Sequence, residues 1–481
     1  MPFVAGVDSS TQSTKVEIRD LDTGEVIGSG SAAHPAVTPP VSEQDPRSWW
    51  DAFEVAWSLA LDDVSGGAAD VSAISVAGQQ HGMVALDADD QAVHPAKLWN
   101  DTESAPDAGW LLGQLASRHG DGARIDDGMA AWADAVGSVP VAAFTATKLS
   151  WLHRSHPDAW SRMARVLLPH DYLTHRLTGS YTTDRGDASG TGYWSPATGS
   201  YRWDLLAVID SERDWTDVVP TVLGPLDSAG DWNGLTVACG TGDNMAAALG
   251  LGLGPGDAAL SIGTSGTAFS VASAPTADPS GAVAGFADAT GLFLPLVCTS
   301  NAAKVLDAVA RLLGVDHVEF DRLALAAVGD GDVPVLLPYL DGERTPNRPD
   351  ATGLIAGLRS DVTREQFALA AVQGVACGLL DAFDALRAFA RITGRVVLTG
   401  GGARSAALQG VLAGLIDVPV VSARVDQAVA TGAAVQAAAV VGGVDHAVVQ
   451  ERWGLADADD AALIDGVDSG DLRDRYAEVR D

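Results

Sequence analysis

The chain has 481 residues, 47% of them apolar, and a formal charge of −33 from 30 Lys and Arg against 63 Asp and Glu. That length exceeds one ordinary core, so two domains are expected. So acidic a surface argues against nucleic acid or an anionic membrane as a partner. Only 4 residues are lysine and 52 are aspartate, a bias that fits either a salt-rich cytoplasm or a GC-rich genome. Cys239, Cys298 and Cys377 are odd in number and widely spaced, which predicts reduced, mostly buried thiols and a cytoplasmic protein.

In chain order, PFVAGVDSSTQSTKVEI reads as strand, Ser/Thr turn, strand, with no basic or signal-like leader before it. Hydroxyls and backbone N–H groups at such a turn form a nest for phosphate oxygens, although any hairpin favours the same residues. Asp8 stands at the mouth of this turn, followed by Ser10, Thr11 and Lys15. DPRSWWDAFEVAWSLALDDV then has helical spacing, and VSAISVAG reads as a buried strand. After it come Gln80 and His81, an amide and an imidazole suited to the hydroxyls of an uncharged ligand. Trp99, Asn100 and Asp101 place polar groups beside an aromatic plane of the kind sugars favour. His153 and His156 are three apart with no further ligand nearby, so no metal site is read there.

GTGDNMAAALGLGLGPGD is glycine-rich, and the domain boundary is placed within Gly242–Gly250, giving domains of 1–245 and 246–481. Asp243 opens an Ala-rich helix beside Asn244. Spacing alone favours a cap there over a catalytic carboxylate. DAALSIGTSGTAFSV, Asp257 to Val271, repeats the strand–turn–strand pattern of the amino terminus, with Gly263, Thr264, Ser265, Gly266 and Thr267 at the turn and no carboxylate. Two such loops in one chain suggest duplicated cores gripping one polyphosphate. PYLDGERTP is a constrained loop without an assignable role. VVLTGGGARS ends a buried strand in three glycines, Gly400, Gly401 and Gly402, then Ala403 and Ser405 at a helix start that can face an anion or a nucleoside. AVATGAAVQAAAVVGGV is the most membrane-like stretch and reads as a packed helix; the acidic tail, 457–481, reads as a solvated one.

GVDSSTQSTK, GQQHGMVALD, LWND, DYLTHRLTG, TDRGDASGT, GTGDN, SIGTSGT, LPYLDGERTP, GLIAGL and LTGGGARS occur in this order along nearly the whole chain. In that order and spacing the chain resembles the FGGY family of carbohydrate kinases. The resemblance implies an α/β fold of two ribonuclease-H-like domains, of the actin, hexokinase and Hsp70 type, flanking a nucleotide and sugar cleft. It implies ATP and Mg²⁺ as cofactors and phosphorylation of a ketose, D-xylulose to D-xylulose 5-phosphate. Ribulose, fuculose, glycerol or gluconate are the alternative acceptors, and an actin-like ATPase is the rival of another class. A homodimer is left open.

By the same resemblance, Asp243 is the general base and Asp8 organises Mg–ATP. Gln80 and His81 bind the ketose, with Asn244, Trp99 and Asp101 beside them. Ser10, Thr11 and Lys15 and the turn Gly263–Thr267 contact ATP phosphates, and Gly401, Gly402, Ala403 and Ser405 line the adenosine. Three departures stand out. Thr102, Glu103 and Ser104 follow LWND where the family often carries an arginine, His170 replaces the usual basic residue before DYL, and Gln427 stands where an acid commonly precedes ATGAA.

Overall fold

Both Ser/Thr/Gly motifs fold as antiparallel hairpins. Phe3–Ser9 pairs with Ser13–Asp20, and Ala258–Ile262 with Gly266–Ser270. The computed structural model describes residues 2–118, 120, 122, 124–456 and 463–481. It forms two units, one of Met1–Gly252, Ser273–Leu294 and Gln427–Asp457, the other of Leu253–Ala272, Pro295–Asp426 and Ala458–Asp481.

Each hairpin seeds the same sheet. In the first unit Val26–Ala33 extends it antiparallel beyond Ser13–Asp20, while Val71–Gly78 and then Leu235–Ala238 add in parallel beyond Phe3–Ser9. In the second unit Phe293–Thr299 adds antiparallel to Gly266–Ser270, while Val396–Thr399 and then Val420–Ser422 add in parallel beyond Ala258–Ile262. The repeated loop is therefore the visible part of a duplicated core, three antiparallel strands followed by two parallel ones. The two-domain α/β expectation is met.

The boundary differs from the expected division after residue 245. That point lies inside helix Asp243–Gly250, whose small residues pack on helix Ala428–Gly442. A helix packed along its length on one unit cannot be shared, so the first unit runs on to Gly252 and takes back Ser273–Leu294 and Gln427–Asp457.

Local chemistry explains the elements around the site. Helix Arg47–Leu61 buries Trp49, Ala52, Phe53, Ala56 and Ala60 on one face, each large side chain contributing roughly 1.5–3 kcal/mol. Helix Ala428–Gly442 is built from small residues and lies against strand Phe3–Ser9 and helix Asp243–Gly250 at backbone distance. A Cβ on Gly6 would lie 2.0 Å from the Ala430 carbonyl oxygen, and one on Gly432 1.8 Å from that of Ala246. Among the described residues, Arg364–Arg387 is the single unbroken helix long and apolar enough to cross a membrane, rather than the stretch from Ala428, and it is mostly buried inside the protein.

The tail also departs from expectation. Residues 457–462 lie outside the described residues, but Leu472–Arg480 is a packed helix, not a solvated one. Tyr476 is wholly buried, and Arg473 and Arg480 both reach Asp381, at 3.1 and 2.9 Å. Cys239 and Cys377 are buried.

Candidate active site

The first unit gathers its acids and amides where parallel strands end. Asp8 is the penultimate residue of Phe3–Ser9, and Lys15 faces it across the hairpin register. Lys15 Nζ lies 3.7 Å from Asp8 Oδ2 and donates to Gln427 Oε1 at 2.9 Å. Burial pushes the Asp8 carboxyl up to about 6, against the pull of Lys15. Its Oδ1 is buried with no hydrogen-bond partner. A buried carboxylate oxygen left unsatisfied, beside hydroxyl-bearing Ser10 and Thr11, fits a hard cation such as Mg²⁺, which takes few protein carboxylates and fills the rest of its shell with phosphate and water.

Asp243 begins its helix after Gly242, whose extended backbone directs the chain into the turn. The Asn244 amide joins it to the strand end: Nδ2 donates to Asp243 Oδ1 at 2.9 Å and to Gln80 Oε1 at 2.8 Å. Burial, then the negative charges of Asp8 and Asp187, push Asp243 up to about 7, with Asn244 drawing it back. A Cβ on Gly242 would lie 2.7 Å from Gln80 Cγ, so glycine there lets the Gln80 side chain lie against the turn.

His81 sits in the left-handed region at φ 67°, uncommon for a bulky residue and a mark of a constrained site. Its Nδ1 donates to the Gly190 carbonyl at 2.8 Å, since a carbonyl only accepts. The ring packs on Phe144 and Phe286, with centroids 4.8 and 5.5 Å away. Gly190 is required, because a Cβ there would lie 2.6 Å from the His81 ring.

The other expected residues divide. Trp99 is 39% exposed, and its Nε1 donates to Thr11 Oγ1 at 2.9 Å, while Thr11 Oγ1 donates to Gln79 Oε1 at 3.1 Å. The Thr11 turn and the Gln80 strand end are thus joined. Ser10 Oγ closes its own turn on the Ser13 carbonyl. Asp101 is a correction. It is wholly buried, and its Oδ2 accepts from Lys97 at 2.9 Å and from the Ser42 N–H at 2.9 Å. Lys97 Nζ also meets Glu43 at 3.0 Å and Glu103 at 2.7 Å. The acidic trio Glu43, Asp101 and Glu103 therefore surrounds a lysine, and Asp101 serves the fold.

In the second unit Thr264 and Ser265 are exposed at their turn. The turn carbonyls of Gly263 and Thr264 accept from Ala303 and Ala302 at 2.9 and 3.2 Å, which anchors helix Ala303–Leu313. The Gly266 N–H is taken by Thr299 Oγ1 at 3.1 Å. Gly400 and Gly402 lie against the same turn: a Cβ would come within 2.8 Å of the Ile262 carbonyl oxygen and 2.6 Å of its side chain. Gly401 faces open space. Ser405 caps helix Ala406–Leu415, accepting from Leu408 at 3.1 Å and donating to Asp321 at 2.5 Å, and Asp321 also takes the Ala406 N–H at 2.6 Å. The helix start expected to face a ligand anion already holds a carboxylate.

Lys304, whose N–H bonds the Thr264 carbonyl at 3.4 Å, lines a cavity of about 410 Å³ with Asp307, Arg311, Leu340, Asp341 and Thr352. The unassigned PYLDGERTP loop reaches this cavity through Leu340 and Asp341. Its Glu343 is buried and accepts from the Ser300 N–H at 2.5 Å and from Asn301 Nδ2 at 2.8 Å. Sequence reading missed Lys304, Asp187 and Thr241.

An acid near neutrality, joined by Asn244 to Gln80 and within the field of Asp8, is suited to taking a proton from a hydroxyl next to an anion. Similarity points the same way. Residues 3–250 and 258–441 match the amino- and carboxy-terminal domains of the FGGY family of carbohydrate kinases. The chain is 46% identical over 465 residues to a xylulose kinase of Streptomyces coelicolor and 45% identical over 465 residues to one of Streptomyces rubiginosus, covering 95% of this chain and 91% of each relative. A crystal structure of xylulose kinase from Bifidobacterium adolescentis superposes with a TM-score of 0.85 at 40% identity, covering 100% of this chain and 99% of that one. With both halves matched and relatives this similar along nearly its full length, the chain belongs to the FGGY family of carbohydrate kinases.

Proposed function

We propose that this chain phosphorylates D-xylulose with ATP, giving D-xylulose 5-phosphate. The reading is carried by the Asp243–Asn244–Gln80 chain of hydrogen bonds, set in a sequence similar throughout to xylulose kinases. Gln80 and His81 bind sugar hydroxyls, and Asp243 accepts the proton of the primary hydroxyl as that oxygen attacks the γ-phosphorus. General bases work best with a pKa near the working pH, and burial beside Asp8 and Asp187 brings Asp243 there. The Asn244 amide holds the carboxylate in one orientation, so little reorganisation accompanies the transfer.

Asp8 would hold Mg²⁺, which when bound neutralises charge on the phosphates. Lys15, tethered by Gln427, adds a fixed positive charge beside it. In the second unit the exposed Thr264 and Ser265 hydroxyls, with Gly401, are the groups offered to ATP. Ser405 is committed to its helix cap and to Asp321 and is left out of that set.

The test is ADP release from the purified protein with ATP, Mg²⁺ and a panel of D-xylulose, D-ribulose, L-fuculose, glycerol and gluconate. Highest kcat/KM on D-xylulose is expected, and a clear preference for another acceptor would reject the substrate assignment. Asp243→Ala should lower kcat by about 10²–10⁴-fold.

A further inference from the structure

His170 lies at the second position of helix Pro169–Thr178, wholly buried. Its ring is admitted by two glycines. A Cβ on Gly240 would lie 2.6 Å from His170 Cδ2, and one on Gly78 3.0 Å from its Cβ. Three carboxylates face the ring: Asp187 Oδ2 at 2.8 Å from Nδ1, and Asp171 Oδ1 and Asp184 Oδ1 at 3.1 and 3.9 Å from Nε2. All three are at most 2% exposed.

Burial opposes a charge on the imidazole, but the three acids outweigh it and push His170 up to about 9. Burial raises all three acids, Asp171 to about 7. The Cys239 thiol, next to Gly240, and the Tyr193 phenol are held neutral by burial. The cluster is thus one buried cation among acids, where loss of the cation leaves uncompensated charge.

Two arms leave this cluster for the site. Asp184 Oδ2 accepts from Thr241 Oγ1 at 2.8 Å, on the turn that leads into Asp243. Asp187 lies on the short helix Arg185–Ser189, which runs into Gly190; the Gly190 N–H bonds the Asp187 carbonyl at 3.0 Å and the Gly190 carbonyl holds the His81 ring at 2.8 Å. Asp187 also adds to the negative field on Asp243.

We propose that His170 is a positioning residue for the sugar site: through its 2.8 Å bond to Asp187 it fixes the short helix Arg185–Ser189, whose end at Gly190 holds the His81 ring beside Gln80. This rests on the reading of Gln80 and His81 as the sugar-binding pair. Without the cation, a proton must enter the acid cluster, and the bond that holds the Asp187 helix is lost.

The experiment is calorimetric titration with D-xylulose in the absence of nucleotide, for the wild type, His170→Gln and His170→Lys, with steady-state KM for both substrates. His170→Gln should weaken D-xylulose binding by about 10-fold or more, the scale of a lost charge-assisted bond, with KM for ATP changed less than about 2-fold. His170→Lys, which keeps the charge, should recover most of the affinity. In the wild type the sugar affinity should fall as pH rises through about 9, and in His170→Lys it should not.

A folded His170→Gln that binds D-xylulose like the wild type overturns the proposal, as does a wild-type affinity that stays flat to about pH 10. The wild-type profile decides even if the glutamine variant does not fold. A wild type that does not bind D-xylulose overturns the substrate reading itself and the inference resting on it, and that outcome is seen before any variant is compared.

Discussion

Lys15 donates to the Gln427 amide oxygen at 2.9 Å while lying 3.7 Å from Asp8. The two residues are 412 positions apart in sequence, yet Gln427 directly precedes the helix that packs on the Asp8 strand. An amide fixes the ammonium without cancelling its charge, whereas a carboxylate would do both. In a chain of net charge −33, a cation held by an amide rather than by a second carboxylate, beside the turn proposed to bind phosphate, would counter the global field that repels ATP.

Gln427→Glu should therefore raise KM for ATP by about 3–10-fold while leaving KM for D-xylulose within about 2-fold. The effect should shrink with added salt, because screening weakens both the new pair and the global field. Initial rates at varied ATP and KCl check this, and an unchanged KM for ATP would reject a phosphate role for Lys15.

Asp243 must be ionised to act, so kcat/KM for the sugar should rise through about pH 7 and then level off. Replacing Asp8 by Asn removes a negative neighbour and should move this acid limb to lower pH. The same variant should raise the Mg²⁺ concentration for half-maximal rate by about 10-fold or more. A pH–rate profile with an Mg²⁺ titration at each pH reads both effects.

The same raised pKa makes Asp243 a cost to folding. The native state holds its proton between about pH 4 and 7 while the unfolded chain has lost it, so this group's contribution to stability falls as pH rises through that window. Asp243→Asn should be inactive yet more stable at pH 8, on the order of 2–4 kcal/mol at the linkage limit. The gain should largely vanish near pH 4. Thermal melts at the two pH values test this, and a lower melting temperature at pH 8 would contradict it.

His81→Asn keeps a residue that tolerates φ > 0 but loses the imidazole. It should raise KM for D-xylulose by about 10-fold or more and leave nucleotide binding unchanged. Equal changes in both constants would show that His81 is not a sugar ligand.

Much of this site is local in sequence and was legible there. The two hairpin turns announce themselves through glycine and hydroxyl residues bounded by apolar strands. The glycines before Asp243 and the Ala-rich helix after it mark a helix start, which by itself favours a cap; only the family resemblance reads it as a base. What joins these pieces is not local. The Asn244–Gln80 bond spans 164 positions, and the His170 cluster draws on two helices and a strand. Asp101 misled for a physical reason: a polar run beside an exposed tryptophan looks like surface, but Lys97 is buried under it and requires the carboxylates. Ser405 misled because a cap residue and a ligand hydroxyl have the same composition, and only Asp321 distinguishes them.

The contact of helix Ala428–Gly442 with its neighbours is made by main-chain atoms at Gly6, Gly250 and Gly432. Gly6 is two residues from Asp8, Gly250 ends the helix that Asp243 begins, and Gln427 stands just before the third element. The separation of Asp8, Asp243 and Gln427 is thus set by backbone thickness, a fixed ruler that no rotamer can lengthen. A single methyl at these positions, touching no ligand, would act as a spacer inside the active site. Glycine there is a dimensional requirement of the packing: a methyl 1.8–2.0 Å from a main-chain carbonyl oxygen would force these elements apart and move the residues they carry.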